Sequence, residues 1–289
     1  MKKLFLFCTL ICLSALALAQ QPSTATQPVD TSWKKGGFIN VNFSQVSLDR
    51  WAQGGENSLA LSGSLNLFAN YAKDKTTWDN NLDLAYAILK SGPTPSRKSD
   101  DKIDFTSKFG RKISTHWSYS ALFNFKSQFT KGFKYPDDSN VVSKFLAPGY
   151  VTLALGFNYK PVDYFEVFIS PATGRLTIVN DDVLANAGAY GVKPGEKTRM
   201  EFGAYLNMKF KKDIMENVTL MTKLELFDNY SDDNGNNRKN VDVNWETSLN
   251  MKVNKFITAS IATQLIYDHD VIKHTQFKEV VGVGLGYKF

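Results

Sequence analysis

The sequence predicts an all-β fold, a single antiparallel transmembrane β-barrel of about twelve strands with short periplasmic turns and longer outer loops. Three observations predict this fold. Apolar and polar residues alternate with a period of two along most of the chain, short and long polar connections follow each other in turn, and aromatic residues collect near strand ends. The alternation indicates strands, the regular connections indicate antiparallel hairpins, and aromatic strand ends are typical of a wall that crosses a membrane.

The N-terminal residues have the features of an export signal. Lys2 and Lys3 are followed by an apolar run over 4–13 and by Ala-Leu-Ala at 17–19. These are the three parts of a secretory signal peptide, so residues 1–19 are expected to be removed after export. Residues 20–35, rich in Gln, Pro, Ser and Thr, predict a flexible periplasmic lead-in, and residues 36–289 predict the outer-membrane β-barrel.

Composition excludes several classes of function. Cys8 and Cys12 both lie in the signal peptide, so the mature chain is expected to have neither a disulfide nor a catalytic thiol. The formal net charge of +6 includes Lys2 and Lys3, which leave with that peptide. The remaining excess is mild and forms no basic cluster, so no nucleic-acid partner is expected.

The predicted strands follow each other as hairpins. Leu61 and Leu65 lie opposite serines and asparagines in the second strand, and Trp117, Phe123 and Phe125 share one face of the fifth. The predicted strands are 38–48, 57–72, 77–90, 102–111, 116–130, 149–159, 164–170, 199–210, 217–230, 240–253, 256–268 and 280–289. The longer loops between the hairpins are predicted at 49–56, 91–101, 131–148, 171–198, 231–239 and 269–275.

The last strand shows the alternation most clearly. Val281, Val283, Leu285, Tyr287 and Phe289 lie on one face, and glycines and Lys288 lie on the other. An even number of strands puts both termini on the periplasmic side. We therefore expect the last strand to pair with 38–48, which leaves the sheet with no open edge.

Aromatic residues distinguish the membrane barrel from its main alternative. A soluble β-sandwich also alternates, but its inner face favours compact Val, Ile and Leu, and its strands are usually shorter. Here the apolar face carries rings near the strand ends, which is typical of the aromatic girdle of a membrane barrel. The candidate girdle residues are Trp78, Trp117, Tyr159, Trp245, Tyr287 and Phe289.

The opposite face carries charges of both signs. The candidate residues lining the lumen are Asp79, Asp83, Lys102, Asp104, Lys108, Lys126, Arg199, Glu201, Lys223, Glu225, Asp242 and Glu246. About twelve strands enclose a lumen between the filled interior of eight-stranded barrels and the open channel of porins. A lining of mixed sign predicts a narrow or largely plugged lumen without strong ion selectivity. The alternative is that these charges only stabilise the barrel.

One cluster raises the possibility of catalysis at the outer rim. Asp268, His269 and Asp270 are consecutive, and a histidine beside a carboxylate can activate water. Neighbouring residues on a strand point to opposite faces, however, and no nucleophile or paired-histidine motif accompanies them. No catalytic residue is therefore assigned, and an enzyme such as a protease or lipid hydrolase remains the alternative hypothesis.

Acidic doublets recur in the predicted outer loops. They are Asp100-Asp101, Asp137-Asp138, Asp181-Asp182 and Asp232-Asp233. Carboxylates can bind the divalent cations that bridge lipopolysaccharide phosphates, but none of the doublets has the spacing of a defined calcium loop. Solvated loop charge is the simpler interpretation, and no metal site or cofactor is predicted.

Several segments resemble a family of Gram-negative outer-membrane β-barrel proteins that carry a domain of unknown function. The resembling segments are 51–60, 97–104, 145–150, 170–175, 188–192 and 240–246, spread over nearly the whole mature chain. The resemblance implies an outer-membrane location and carries over no catalytic residue and no substrate. Phe289 also resembles the terminal signal that the barrel-assembly machinery recognises.

Three functions are compatible with these residues. The first is a porin-like passive conduit, or an accessory envelope protein, with a narrow mixed-charge lumen in the bacterial outer membrane. The second is a barrel enzyme with a rim site. The third is a non-conducting structural component of an envelope complex whose long loops bind a partner protein. The expected partners are outer-membrane lipid, lipopolysaccharide and, through Phe289, the barrel-assembly machinery.

Overall fold

The computed structural model describes residues 32–48, 55–230 and 241–289. The predicted signal peptide, most of the lead-in, nearly all of the loop at 49–56, and the loop at 231–239 with its Asp232-Asp233 doublet lie outside the described residues. The segments at 51–60 and 240–246 lie partly outside them.

The described residues form fourteen strands, two short ones among them, and very little helix. The strands are β1 Trp33–Val46, β2 Ser58–Lys73, β3 Thr76–Ser91, β4 Arg97–Lys112, β5 Trp117–Ser127, β6 Gly132–Phe133, β7 Val141–Ser143, β8 Gly149–Val162, β9 Phe165–Ile178, β10 Thr198–Met215, β11 Val218–Asn229, β12 Asp242–Lys252, β13 Ile257–Asp268 and β14 Ile272–Lys288. A short helix, α1, covers Asp182–Asn186, and a 3-10 turn covers Ala189–Gly191. No helix among these residues is long and apolar enough to cross a membrane.

The predicted fold class is confirmed. Strands β1–β5 and β8–β14 form a closed antiparallel barrel of 12 strands, in the order β1-β14-β13-β12-β11-β10-β9-β8-β5-β4-β3-β2. Strands β6 and β7 form a separate two-stranded hairpin within the connection from β5 to β8. Each strand of the wall therefore pairs with the strands that precede and follow it along the chain, and β1 and β14 pair with each other to close the barrel.

The closing pair is the predicted one. Strand β1 pairs with β14 from Phe38 opposite Lys288 to Asn42 opposite Gly284. The pairing continues to the last residue, since the Gly37 N–H donates to the Phe289 carbonyl at 2.9 Å and the Phe289 N–H donates to the Gly37 carbonyl at 3.0 Å. Phe289 thus lies inside the sheet ladder.

Several strands are longer than predicted, so some loops are shorter. Strand β1 begins at Trp33 rather than at residue 38, because the Trp33 ring packs 5.2 Å from Tyr71 and 6.0 Å from Trp78. Strand β4 begins at Arg97, and the connection from β13 to β14 covers only residues 269–271. The predicted loops at 91–101 and 269–275 were therefore too long.

Strand β9 departs most from its prediction, since it continues to Ile178 instead of ending at Ser170. Pro171 has no N–H for a ladder, and both neighbouring strands skip it through register shifts. Ser170 stabilises this bulge, because its Oγ donates to the Leu155 carbonyl at 2.8 Å and accepts from Thr173 Oγ1 at 2.8 Å. Beyond the bulge, tertiary pairing makes 172–178 a regular strand.

The barrel is polar inside and apolar outside. Asp104, Glu201 and Thr173 are at most 3% exposed, whereas Leu155 and Val281 are 64% and 65% exposed. This is the reverse of a soluble protein and the expected arrangement for a membrane barrel. An apolar cluster of Leu122, Ala154, Phe168, Tyr205 and Phe227 is also buried, on strands β5 and β8–β11.

The connections from β5 to β8 and from β9 to β10 pack together as a cap, defined here as residues 128–148 and 179–197. Ala147, Val179, Leu184, Ala185 and Val192 form its apolar cluster. Asp181 caps α1 by accepting from the Leu184 N–H at 3.0 Å, and it pairs with Lys144 at 2.7 Å. The Tyr190 hydroxyl donates to the Val142 carbonyl at 2.5 Å. The predicted long loops are thus folded in this region.

Candidate functional site: an ion-pair network across the lumen

The alternation of the strands points the charged residues into the lumen. On β4, Asp104 and Lys108 are buried, at 1% and 6% exposure, while Phe109 is 49% exposed. On β10 and β11, Glu201 and Glu225 are likewise buried. Because side chains on a strand alternate between faces, a single inward residue fixes the direction of the others on the same strand.

One ion pair joins residues from opposite sides of the wall, Lys102 on β4 and Glu246 on β12. Lys102 Nζ lies 2.8 Å from Glu246 Oε2. Between these strands stand β11, β10, β9, β8 and β5 on one side and β13, β14, β1, β2 and β3 on the other. The two residues therefore come from opposite sides of the wall, and their side chains meet across the lumen.

Two further ion pairs cross the lumen beside this one. Lys223 on β11 contacts Asp104 on β4 at 3.2 Å, and Lys126 on β5 pairs with Glu225 on β11. Lys223 also lies 3.2 Å from Glu225, so these four residues form one continuous network. We use "the central network" for Lys102, Asp104, Lys126, Lys223, Glu225 and Glu246.

Neutral side chains complete the central network. Glu225 accepts a hydrogen bond from the Tyr205 hydroxyl at 2.7 Å and from Asn244 Nδ2 at 2.9 Å. Asp104 accepts from Asn124 Nδ2 at 2.6 Å. Buried carboxylates are stable only when charge partners and hydrogen bonds replace the lost water, and both kinds of partner are present here.

A second group of charges lies toward the capped end, on the extended part of β9. Arg175 binds Glu201 through two bonds, Nε to Oε2 at 2.9 Å and Nη2 to Oε1 at 3.0 Å, and its Nη1 lies 2.7 Å from Asp242. Its guanidinium also lies 4.2 Å from the centre of the Phe227 ring. Arg199 contacts Glu201 at 3.1 Å and Asp270 at 2.7 Å. This group is called the upper network.

The remaining candidate lining residues lie in the lumen with other partners. Lys108 pairs with Glu166 on β9, lies 4.0 Å from Asp79, and donates to Asn158 at 3.0 Å. Asp83 belongs to none of the ion pairs found among the described residues. It instead accepts hydrogen bonds from Asn66 and Asn81, each at 2.6 Å.

Sequence reasoning missed Arg175, Tyr205 and Phe168. Arg175 fell in a segment predicted as loop, where no face could be assigned. Tyr205 is four residues after Glu201 on the same strand, so the two side chains share a face. The alternation alone could therefore have predicted that Tyr205 points inward. Phe168 is in phase with Glu166, and only the apolar character of its ring suggested the lipid face.

The lumen is asymmetric about the bridge from Lys102 to Glu246. The β5 and β8–β11 side is filled by the central network and by the apolar cluster. On the other side, most inward positions of β1, β2, β13 and β14 carry small or uncharged residues such as Ser62, Ser64, Ser260 and Gly284. Lys278 on β14 is a charged exception. Ser64 is exposed although it faces inward. Space inside the barrel therefore remains mainly on this second side.

A cavity of about 390 Å³ lies between the central network and the cap. Lys102, Lys126 and Glu246 line it at the network, and Tyr150, Arg175 and Tyr190 line it further out. Its volume is in the range of small-molecule sites, roughly 300–1,000 Å³. We call it the outer vestibule.

The candidate girdle residues lie on the outer surface near strand ends. Trp78 and Trp117, on the turn side, are 43% and 42% exposed, and Trp117 packs 4.7 Å from Tyr159. Tyr287 and Phe289 stack at 6.1 Å, also on the turn side. Trp245 lies toward the other end of its strand, 50% exposed, with Nε1 donating to Thr222 Oγ1 at 2.8 Å. Five of the six rings thus lie on the turn side of the wall, and Trp245 lies toward the other end.

The rim cluster does not form a catalytic arrangement. Asp268 accepts from the Asp270 N–H at 3.0 Å, and Asp270 pairs with Arg199. His269 Nδ1 is buried without a hydrogen-bond partner among the described residues. Both neighbouring carboxylates are thus engaged elsewhere. Within the described ranges, no group of three or more His, Cys, Asp or Glu side chains has a metal-binding arrangement.

Most carboxylates of the acidic doublets among the described residues have partners. Asp100 and Asp101 lie in β4 rather than in a loop, and they pair with Lys278 and Lys98, each at 3.0 Å. Asp181 and Asp182 pair with Lys144 and Lys197, each at 2.7 Å, and Asp137 accepts hydrogen bonds from Ser139 and Asn140 within its own turn. The carboxylates at 137, 181 and 182 therefore stabilise their loops.

The chain is similar to a family described as "Protein of unknown function (DUF3078)", whose model matches residues 43–133. No curated protein matches it. Among solved structures, the COG4313 outer membrane channel from Pseudomonas putida F1 aligns with 12% identity and a TM-score of 0.40, covering 91% of this chain and 99% of that one.

Two other solved structures align at similar levels. The NanC porin has 8% identity and a TM-score of 0.39, covering 86% of this chain and 98% of that one. Outer membrane phospholipase A from Escherichia coli has 12% identity and a TM-score of 0.36, covering 91% and 94%. At these TM-scores neither channel function nor lipase function transfers to this chain.

Proposed function

We propose that this protein is a porin-like β-barrel of the bacterial outer membrane, a narrow conduit whose lumen is braced and restricted by the central network. The observation that carries this proposal is the ion pair between Lys102 and Glu246, formed across the lumen by strands on opposite sides of the wall.

The outer surface supports the membrane location. Exposed apolar side chains such as Leu153 and Val283 cover the middle of the strands, and most of the girdle rings lie on the turn side. A closed wall satisfies its backbone hydrogen bonds within the sheet, as the interior of a bilayer requires. Phe289, at the end of the closing strand and 57% exposed, is available for recognition by the barrel-assembly machinery. Lipid and lipopolysaccharide are then the natural surroundings of the outer surface.

The interior supports a narrow conduit rather than an open channel. The central network and the apolar cluster fill one side of the lumen, so solutes would pass along the side of β1, β2, β13 and β14. Small inward residues such as Ser62 and Ser64 leave room there. Opposite charges are paired in the network, so the lining presents no ring of one sign and favours weak ion selectivity.

Planar-bilayer recording tests this proposal. The folded, inserted protein should give a small conductance, and replacing both Lys102 and Glu246 with alanine should increase it, because the bridge across the lumen is removed. The matched control replaces Lys160 and Asp163, an ion pair at the turn between β8 and β9, and should leave the conductance unchanged. The absence of conductance from both inserted wild type and bridge variant would exclude the conduit.

A structural role in an envelope complex is the second candidate, and the cap favours it. The cap is a folded unit at the vestibule end, and Val183 on α1 is 76% exposed there. This exposed apolar side chain on a folded unit is the observation that favours a contact with another protein. Isolation in mild detergent tests this role, and recovery of the barrel alone would count against it.

A further inference from the structure

Among the described residues, the seam between β1 and β14 is only partly closed. The two strands pair from Gly37 and Phe289 up to Asn42 and Gly284, and then separate. Beyond that point each strand keeps its other neighbour. Strand β1 pairs with β2 as far as Val46, and β14 pairs with β13 as far as Ile272. We call the unpaired part, residues 43–46 and 272–283, the open seam.

Side-chain exposure changes where the strands separate. In the paired part, Asn40 and Gly286 are buried and their neighbours Ile39 and Leu285 are exposed, as expected for a wall with two different faces. In β1, all residues from Phe43 to Val46 are exposed, so the alternation stops where the strands separate. In β14, residues 280–283 still alternate, and all residues from Ile272 to Glu279, beyond the end of β1, are exposed. The loss of alternation in β1 shows that β14 does not cover residues 43–46.

An open seam in a membrane wall requires an explanation. Backbone N–H and C=O groups that face lipid without partners are strongly unfavourable, so membrane barrels normally close completely. The unpaired groups of 43–46 and 280–283 must therefore pair with each other part of the time or be covered by something that enters the gap. Both cases make this seam the part of the wall that can open.

A cavity of about 490 Å³ fills the gap between the separated strands. Its outer part is mainly apolar, with Phe43, Leu61, Val281 and Val283, all of which are also exposed on the outside of the wall. Glu279, on the same face of β14 as the two valines, lies at its edge. Its inner part is polar, with Ser44, Ser62 and Ser99. The cavity thus changes from apolar to polar on the way from the membrane side to the lumen.

One ion pair separates this cavity from the outer vestibule. Lys278 on β14 lies 3.0 Å from Asp100 on β4, and these two residues line both cavities. Strands β1, β2 and β3 stand between β14 and β4 in the wall, so the pair crosses the lumen just inside the seam. A ligand that displaced Asp100 from Lys278 would join the two cavities.

We propose that the open seam is a lateral port, through which an amphiphile with one acyl chain and an anionic head passes between the outer vestibule and the membrane. This rests on the membrane location in the proposed function. The apolar outer part of the cavity accepts the chain, the polar inner part accepts the head, and Lys278 exchanges Asp100 for the head group. The volume suits one small ligand, within the roughly 300–1,000 Å³ of such sites.

A cysteine pair across the seam tests the port. Continuing the register beyond Asn42 and Gly284 makes Ser44 and Gly282 direct partners, so Ser44→Cys with Gly282→Cys can lock the seam shut. The natural cysteines, Cys8 and Cys12, both lie in the predicted signal peptide. The control pair, Ser248→Cys with Ala262→Cys, joins inward positions of β12 and β13 that are already partners.

The probe is a long-chain fatty acid with a photoreactive diazirine close to its carboxylate, added to vesicles that contain the barrel. In the reduced seam variant, light should label Ala60 or Ser62, which line the cavity on the inner face of β2. Oxidation should lower this labelling about tenfold or more, because a covalent lock removes the open population. Reduction should restore it, and the control pair should change nothing. Lys278→Glu, without any introduced cysteine, should also lower labelling, because it repels the anionic head.

Three outcomes would overturn the port. One is equal labelling in the oxidised and reduced seam variants when the lock has formed. Another is unchanged labelling in Lys278→Glu. The third is a disulfide that links position 44 of one chain to position 282 of another, which would mean that a second copy covers the seam. Insertion and conductance are measured on the same vesicles. If the barrel inserts and conducts but is not labelled, only the port is excluded. If the barrel does not insert, the proposed function is excluded as well.

Discussion

Arg175 and Glu201 form a bidentate ion pair on neighbouring strands inside the barrel, with both contacts at or below 3.0 Å. The Glu201 side chain is only 2% exposed, and Arg175 also neutralises Asp242. This geometry uses the planar guanidinium, which a lysine cannot reproduce. The upper network therefore depends on one arginine.

Replacing Arg175 with alanine is expected to destabilise the barrel, because Asp242 and Glu201 lose a partner inside the lumen. Removing one member of a buried ion pair costs roughly 3 kcal/mol. Arg175→Lys should restore part of the loss, since it returns the charge without the bidentate geometry. Urea unfolding in detergent measures the free energy of unfolding. Arg111→Ala, an exposed arginine at the turn end of β4, is the control, and an equal effect of both alanine variants would contradict the prediction.

Replacing Phe168 with alanine is expected to loosen the filled side of the lumen. The ring is 1% exposed and packs 6.4 Å from Tyr205. Loss of a buried phenylalanine ring costs about 3–5 kcal/mol where water does not fill the space. The same change should raise the bilayer conductance by widening the lumen. Phe202→Ala, which removes a ring 50% exposed on the outer surface, should leave the conductance as it is.

Replacing Gly156 with alanine is expected to disturb the bulge at Pro171. A Cβ at this position would lie 2.7 Å from Ser170 Cα, and it would also meet the Ile169 carbonyl. Overpacking of this kind costs about 1–3 kcal/mol, and backbone atoms cannot move aside as a side chain can. Gly63→Ala is the matched control, because a Cβ there meets no atom within 4 Å. Thermal unfolding on gels, where folded barrels migrate faster, compares the two, and equal midpoints would refute the expectation.

The cap is expected to lose stability in acid. Lys144 and the Leu184 N–H bond the Asp181 carboxylate and hold its pKa below the ordinary value of 3.8. A lowered pKa in the folded state stabilises the fold above the unfolded value, and this contribution disappears as the pH falls through the lowered value. The contribution should thus be complete near neutral pH and be lost below about pH 4.

Hydrogen exchange of the α1 amides as a function of pH measures this effect. Asp181→Asn keeps a side chain that can cap the helix but removes the charge, so its protection should be lower at neutral pH and nearly constant toward acid. Protection in the wild type that stays constant from neutral pH down to about pH 3 would argue against the role of Asp181.

Alternation in the sequence predicted the barrel well because a strand in such a wall has one lipid face and one lumen face. Lys102, Asp104 and Glu225 could be assigned to the interior in this way, and the predicted strand at 38–48 could be matched with the last strand. The same rule failed for 171–178, because Pro171 shifts the phase by one residue and the glycine at 174 suggests a turn. A bulge stabilised by Ser170 depends on two neighbouring strands that local sequence does not reveal.

The pairing of charges inside the lumen was beyond prediction for a different reason. Lys102 and Glu246 are 144 residues apart, and several carboxylates of similar character could have accepted the lysine. Which one does so depends on the shear of the barrel and on side-chain length, and neither follows from residue type. The open seam was also missed, since Phe43, Val281 and Val283 continue the alternation expected of a fully paired closing strand.

The central network has a consequence for how the wall is assembled. Its ion pairs across the lumen join strands four to six positions apart around the wall, so no single hairpin can form any of them. Until β1 and β14 meet, Asp104 and Glu225 can keep their water, and only closure brings their partners within reach. Closure of the ring, loss of water from these charges and formation of the ion pairs then occur together. Insertion of a partly assembled sheet is therefore unfavourable, and the wall forms in one cooperative step.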